Sequence, residues 1–189
     1  MPLPSRPHLL GIDDGPFEKR TSRDTPIVGV LMEGHDVVEA VATTAFPIDG
    51  DGVTDFLTAW IEGLRFRPSL QGVVLGGITL AGLAVVDVAG LSARLGVPVV
   101  AVNRRKPRDE RLLAALDAAG LGERRALVER APAAQAVGDR LYAAGAGLDP
   151  EETIALVRVS RGKSELPEPL RLAHLIAAAI ARGESRGRP

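Results

Sequence analysis

The sequence predicts a single α/β domain, a mixed β-sheet with an antiparallel hairpin near its start and helices on both faces. Three observations predict it. Two valine-rich runs, Pro26 to Met32 and Asp36 to Phe46, are joined by the short turn Glu33-Gly34-His35, which makes them a hairpin. The runs Gly72 to Leu75 and Val97 to Val102 are continuously apolar, as strands covered on both faces are. The segments around them carry apolar residues at helical spacing.

Taken in order, His8 to Asp13 reads as the first strand, ended by the turn signal Asp14-Gly15-Pro16. Glu18 to Thr25 is a charged and polar loop, and the hairpin follows it. Val53 to Leu64 reads as a helix capped by Thr54, with Phe56, Leu57, Trp60, Ile61 and Leu64 on one stripe. Gly72 to Val86 is a buried strand plus a loop, and Asp87 to Leu95 a short helix that Asp87 can cap. Pro107 to Ala119 is a helix whose first turn carries Asp109 and Glu110, favourable beside the positive end of its dipole. Ala126 to Glu129 reads as a further short strand. Asp149-Pro150-Glu151-Glu152 and Glu168-Pro169 each open a helix. The last helix, Pro169 to Arg182, gives way to a polar tail, Gly183 to Pro189.

No internal repeat or linker divides the chain, so residues 1–189 read as one domain. Strand, hairpin, helix, strand, helix, strand is the order of ribonuclease-H-like folds. An ordinary doubly wound sheet would instead open strand–helix–strand.

The composition narrows the function classes. A chain of 189 residues with 46% hydrophobic and 25% charged residues can bury a core and is not disordered. With no cysteine it has no disulfide, thiolate metal site or cysteine nucleophile, which fits a reducing, cytoplasmic setting. The start of the chain has no apolar run of a signal peptide. The longest apolar stretch, Gly72 to Val86, falls short of the about 20 residues of a membrane span. A net charge of −1 excludes coating of nucleic acid by bulk attraction, so phosphate binding needs a local patch. There is no P-loop, dinucleotide fingerprint, nucleophile elbow or zinc-ligand spacing. Nor do Trp60, Tyr142 and the four phenylalanines form a base-stacking strip. The oligomeric state stays open.

Two groups of residues remain as candidates. Arg104-Arg105-Lys106-Pro107-Arg108 directly follows the strand ending near Val102. Ligands of open α/β sheets gather beyond strand carboxyl ends, and arginine forks match phosphate oxygens. The same segment could equally be a solvated helix start, partly balanced by Asp109 and Glu110. Arg171 and His174 stand three apart on the last helix, hence on one face, while Leu172, Leu175, Ile176 and Ala179 serve the core. Arg171 is a further phosphate candidate. Between two leucines, it should be partly buried and hydrogen-bonded to a carboxylate or backbone oxygen.

Three stretches resemble a known group. They are Gly11-Ile12-Asp13-Asp14-Gly15-Pro16-Phe17; Gly77-Ile78-Thr79-Leu80-Ala81-Gly82 with Val85-Val86-Asp87; and Leu166-Pro167-Glu168-Pro169-Leu170-Arg171-Leu172-Ala173-His174-Leu175-Ile176, with Gly183-Glu184-Ser185-Arg186-Gly187-Arg188 beyond it. In this order they resemble an uncharacterised, largely archaeal family (domain of unknown function ninety-nine), a relative of the endonuclease V nucleases. The resemblance implies a ribonuclease-H-like fold and spans nearly the whole chain. It also implies DNA or RNA as partner and magnesium, with manganese as substitute, because the nuclease relatives use magnesium to cut a phosphodiester near a deaminated base.

In those relatives the position matching Asp13 anchors the metal, and a histidine matching His174 lies by it in some. Asp14 would face away from Asp13 if the strand continues. The nucleases show aspartate-glycine where this chain has Gly76-Gly77, a departure that argues against cleavage. Asp87, Asp49, Asp51 or Asp55 could compensate if the fold brought one close; their bland roles are a helix cap, turn residues and a first-turn acid. Two readings follow. One is an endonuclease-V-like domain that hydrolyses phosphodiesters near deaminated or structured sites, with Asp13, His174 and Asp87 as its catalytic candidates. The other is a non-catalytic nucleic-acid or ligand-binding module that uses the same pocket.

Overall fold

The computed structural model describes residues 4–18 and 21–185; Lys19 and the end of the expected polar tail lie outside the described residues. The chain opens with β1 (His8–Asp14) and the hairpin β2 (Asp24–Glu33) and β3 (Val37–Pro47). Helix α1 (Val53–Glu62) leads to β4 (Gly72–Leu75), and a small ribbon, β5 (Thr79–Leu80) and β6 (Ala84–Val85), leads to α2 (Val88–Leu95). Next come β7 (Val99–Asn103), α3 (Asp109–Ala118), α4 (Arg125–Glu129), β8 (Gln135–Ala136) and β9 (Tyr142–Ala146). Helices α5 (Pro150–Val159) and α6 (Glu168–Arg182) close the fold.

The main sheet has the order β3-β2-β1-β4-β7-β9-β8. Strands β1, β4 and β7 run parallel, and the other pairs are antiparallel. Strand β1 is internal, between β2 and β4. Alternation along it sorts the two faces. Leu10 and Ile12 pack with Leu57 and Ile61 of α1 and Leu91 of α2. Leu9 packs with Leu156 of α5 and Leu170 of α6. On that second face Val28, Val30 and Met32 also meet Ala173 and Ala177. Helices α3 and α4 close over the small ribbon through Leu116, Val128 and Val85.

Three local expectations need correction. Ala126 to Glu129 is helical, within α4, not a strand. Four apolar-rich residues carry no period, and the Arg124 guanidinium fixes the helix start by donating to Leu83 O, Asp49 O and the Asp51 carboxylate. Thr54 does not cap α1. Gly52 holds that position, and Thr54 Oγ1 accepts the Asp87 N–H at 2.9 Å. Strand β9 was not expected, because Tyr142-Ala143-Ala144-Gly145-Ala146 lacks the β-branched residues that mark strands.

One glycine sets the geometry that matters for function. A Cβ on Gly11 would lie 2.2 Å from Pro169 C and 2.3 Å from Leu170 N, so the backbone of α6 rests directly on β1. Strand and helix then keep step. Two residues of strand advance about 6.6 Å, from Gly11 to Asp13, and four residues of helix about 6 Å, from Leu170 to His174. The contact at Gly11 therefore delivers His174 to Asp13. Gly11→Ala should cost about 3 kcal/mol, the upper range for overpacking against unyielding backbone, as measured by urea unfolding. An unchanged unfolding midpoint would show that α6 does not rest on β1 in this way.

Candidate active site at the carboxyl ends of the parallel strands

The ends of β1, β4 and β7 bring Asp13, Gly76-Gly77 and Asn103 side by side. Asp13 Oδ2 bonds His174 Nδ1 at 2.8 Å, and Asp13 Oδ1 accepts the Asp14 N–H at 3.0 Å. The Asp13 hydrogen bond raises His174 above the usual histidine range, against the opposing pull of burial and of the nearby Arg104 charge. The ring is 54% exposed, which leaves Nε2 open to a ligand. Residues 161 positions apart in the sequence thus form one carboxylate–imidazole pair.

Gly76 stands against this pair. A Cβ there would lie 2.8 Å from Asp13 Oδ1, so a carboxylate at 76 would share the space that the Asp13 carboxylate now fills. None of the four acids considered as replacements contacts Asp13. Asp87 accepts from Gly90 N as the cap of α2 and pairs with Arg130 at 2.7 Å. Partial burial opposes its ionisation, but these two donors outweigh it and hold its pKa below the usual range. Asp49 accepts from Leu83 N at 2.7 Å, Asp51 takes Arg124 and Asp55 takes Arg94. Each is spent on holding the scaffold.

The acid that does come close is Asp14. Its side chain turns to the opposite face, as alternation requires, and accepts from Ala81 N at 2.9 Å. Burial first, and then the charge of Asp13, push it up to about 6 from 3.8. That rise corresponds to about 3 kcal/mol. The neutral form fits the fold better, so this stability is complete below pH 3.8 and is lost as pH rises through about 6. In metal-free protein, Asp14→Asn should therefore raise stability by up to about 3 kcal/mol above pH 6 and by little at pH 4. Equal effects at both pH values would show that Asp14 ionises normally.

Beside the pair opens a cavity of about 1310 Å³, lined at its mouth by Arg104, Arg105, Lys106, Arg108, Arg111 and Arg140. Asp109, Glu129 and Asp139 also line it, yet none of the six cations forms an ion pair among the described residues. Elsewhere Arg6, Arg67, Arg94, Arg124, Arg125, Arg130 and Arg171 are paired, whereas Arg23, Arg65, Arg158 and Arg182 have no ion pair among the described residues. Six cations against three acids give the cavity a local excess of positive charge in a chain of net charge −1.

Arg171 is not part of that mouth. Its Nε donates to Glu168 Oε2 at 2.9 Å and its Nη2 to Oε1 at 2.5 Å. This pairing, against the opposing effect of burial, holds Glu168 below its ordinary pKa of 4.5. The stability it contributes is present above pH 4.5 and is lost as pH falls. Arg171→Met should cost about 2 kcal/mol at neutral pH, the worth of charge-assisted hydrogen bonds to a largely buried acid. Adding Glu168→Gln should restore part of it, and urea unfolding of the single and double variants measures both.

Magnesium takes oxygen ligands and often only one or two protein carboxylates. Asp13 fits that demand as a single carboxylate, since the Asp14 side chain points to the other face. It does not fit a clamp of several protein acids, which this end of the sheet does not assemble. Among the described residues the three-ligand cluster is elsewhere. His8, Glu33 and Glu39 meet at the opposite end of β1, where Arg6 already pairs with Glu33 at 3.2 Å. Sequence reasoning missed Asn103, which stands at the end of β7 beside Gly77, and the proximity of Asp14 to Asp13. The apolar run ending in a polar Asn103 was the available signal.

A sequence profile of the family described as endonuclease dU matches residues 5–181. A UPF0215 protein of Methanothermobacter thermautotrophicus is 38% identical over 189 residues, covering 98% of this chain and 93% of its own. One of Archaeoglobus fulgidus is 39% identical over 181 residues, 95% of this chain and 97% of its own. A crystal structure of an A. fulgidus protein of unknown function superposes with a TM-score of 0.85 at 36% identity, covering 93% and 98% of the two chains. Ciona intestinalis endonuclease V, solved with a 24mer DNA containing an inosine followed by a ribo-adenosine, gives 0.59 at 12% identity over 89% and 83%. That likeness is one of fold, and it makes the sheet ribonuclease-H-like as its strand order predicts. The archaeal relationship expected from the three motifs holds over the whole matched length: the chain belongs to the endonuclease dU family.

Proposed function

We propose that this protein is a metal-dependent endonuclease acting on DNA or RNA near deaminated bases, with magnesium (or manganese) held at Asp13. The observation that carries the reading is the Asp13–His174 pair beside a cavity whose cations have no acidic partners. The family name specifies deoxyuridine, and the Ciona enzyme was solved on inosine-containing DNA. Uracil and hypoxanthine are both products of base deamination.

The metal, when bound, supplies an activated water and neutralises charge on the phosphate. Asp13 would anchor it, while Asp14 faces the other side of the sheet and accepts from Ala81 N. The bond to Asp13 favours the protonated form of His174, which would present Nε2–H to a phosphate oxygen. The arginines hold the flanking phosphates by forked hydrogen bonds. With Gly76 in place of an aspartate the site has fewer anionic ligands than a two-metal clamp, so turnover is expected to be slow.

A second reading is favoured by Gly76 itself: a binding module that holds nucleic acid in the same cleft without cutting it. Single-turnover cleavage of uracil- and inosine-containing single and double strands, with magnesium, manganese or chelator, separates the two. Slow cleavage that requires metal supports the nuclease. Salt-sensitive binding with no product in any metal supports the module. No binding and no cleavage overturn both.

A further inference from the structure

We infer that His8, Glu33 and Glu39 form a second metal site, for a divalent transition ion such as zinc, at the end of the sheet away from Asp13. The inference does not depend on the nucleic-acid reading above.

The three residues come from three adjacent strands. His8 of β1 stands directly opposite Glu33 of β2. The β2–β3 register then slips, with Met32 opposite Val38 and Leu31 opposite Ala40. Glu39 is the extra residue of that β-bulge, a device that re-aims a side chain. Strands two apart in a sheet are separated by about 9.6 Å, yet Glu39 Oε2 reaches across β2 to 3.4 Å from His8 Nε2. One ligand atom from each of the three residues lies within 4.8 Å of the other two. Donors held at zinc's usual bond lengths in a tetrahedron stand about 3.3 Å apart, the spacing that His8 and Glu39 already have. Small rotations bring in the rest, since roughly a third of each side chain is exposed. The backbone beneath is fixed: His8 N–H donates to Gln71 Oε1 at 2.9 Å, and Gly34 N–H to Pro7 O at 3.0 Å.

The ligand types select the ion. Two carboxylates and a neutral imidazole carry the two negative charges that a divalent ion cancels. An imidazole nitrogen suits zinc and its first-row neighbours, whereas magnesium keeps to oxygen. Three protein ligands leave the fourth tetrahedral position to water. Arg6 is the competitor, since its Nε donates to Glu33 Oε1 at 3.2 Å. Its Nη1 and Nη2 both donate to Asp36, at 3.3 and 2.8 Å, so Asp36 keeps the guanidinium when Glu33 turns to the ion. Glu33 Oε2 accepts no hydrogen bond among the described residues. As ion pairs alone these exposed contacts contribute little. With an ion they cross-link β1 to the hairpin. Five strand residues, about 16 Å, separate His8 from Asp13, so one ion cannot serve both places.

Zinc is the probe, and the test uses the Asp13→Ala/His174→Ala protein, in which the candidate active site offers no such pair of ligands. Titration calorimetry should find one zinc per chain. Zinc at about a hundred times its Kd should raise Tm by about 5 °C or more, and magnesium at the same concentration should not. Adding His8→Ala or Glu39→Gln should weaken zinc binding at least about tenfold each, a loss that even a residue supporting a metal ligand causes. Metal-free Tm values within about 2 °C of the parent would show that these variants, changed at partly exposed positions, still fold. No zinc binding in the parent, binding that persists unchanged in both variants, or an equal Tm shift with magnesium overturns the site. None of these results bears on cleavage at Asp13, which is read separately in native protein.

Discussion

Asp13→Ala should lower the single-turnover rate of metal-dependent cleavage at least about a thousandfold, while leaving strand affinity unchanged or slightly higher. The expectation follows from what else the site contains. Asp49, Asp51, Asp55 and Asp87 hold Leu83 N, Arg124, Arg94 and the α2 cap with Arg130, and position 76 has no side chain. On the proposed function Asp13 is thus the anchor with no substitute among the described residues. Losing a metal held there would remove several kcal/mol of transition-state stabilisation, and about 4 kcal/mol is a thousandfold in rate. Binding depends on the cavity cations instead, and deleting a carboxylate beside them removes repulsion toward phosphate. His174→Gln should act in the same direction but less, about 100-fold, as loss of a proton donor does. A rate unchanged in Asp13→Ala would mean that the chemistry occurs at another place on the molecule.

The second large effect is electrostatic. If the six unpaired cations of the cavity mouth each neutralise a phosphate of a single strand, the logarithm of affinity should fall against the logarithm of salt with a slope of about −4. Affinity would then drop by roughly two orders of magnitude between 50 and 200 mM salt. Replacing Arg104 and Arg105 together by alanine should flatten the slope to about −3 and weaken binding uniformly across sequences. Replacing Arg171 should leave the slope as it is, because that guanidinium is taken by Glu168. A shallow slope in the native protein would show that the cavity does not carry phosphate contacts.

Much of the fold was legible because its signals are local. The hairpin came from a glycine turn between valine runs, and β4 and β7 from continuous apolar residues. Helices α5 and α6 came from their proline and acid starts, with Asp149 and Glu152 forming a reciprocal capping box. Strand β9 was not legible, because alanine and glycine say nothing about pairing until β7 supplies the partner. The α4 segment failed for a related reason: its conformation is set by Arg124, whose acceptors lie 41 and 75 residues away.

The site divides along the same line. Asp13, His174 and the arginine segment could be singled out from motifs and from their place after strands. What no pattern could show was the contact between Asp13 and His174, which depends on Gly11 letting α6 rest on β1. Nor could a pattern show that Asp87 and its fellow candidates already have partners. Alternation correctly placed Asp14 on the other face, yet at the end of a strand two neighbouring carboxylates still feel one another.

The proposed function stands or falls on a metal ion at Asp13. Crystals soaked in manganese, with data collected to locate its anomalous signal, test it most directly. A peak within about 2.2 Å of the Asp13 carboxylate, absent in Asp13→Ala crystals, is the predicted result. Density only at the His8, Glu33 and Glu39 cluster, or no peak anywhere, would contradict it.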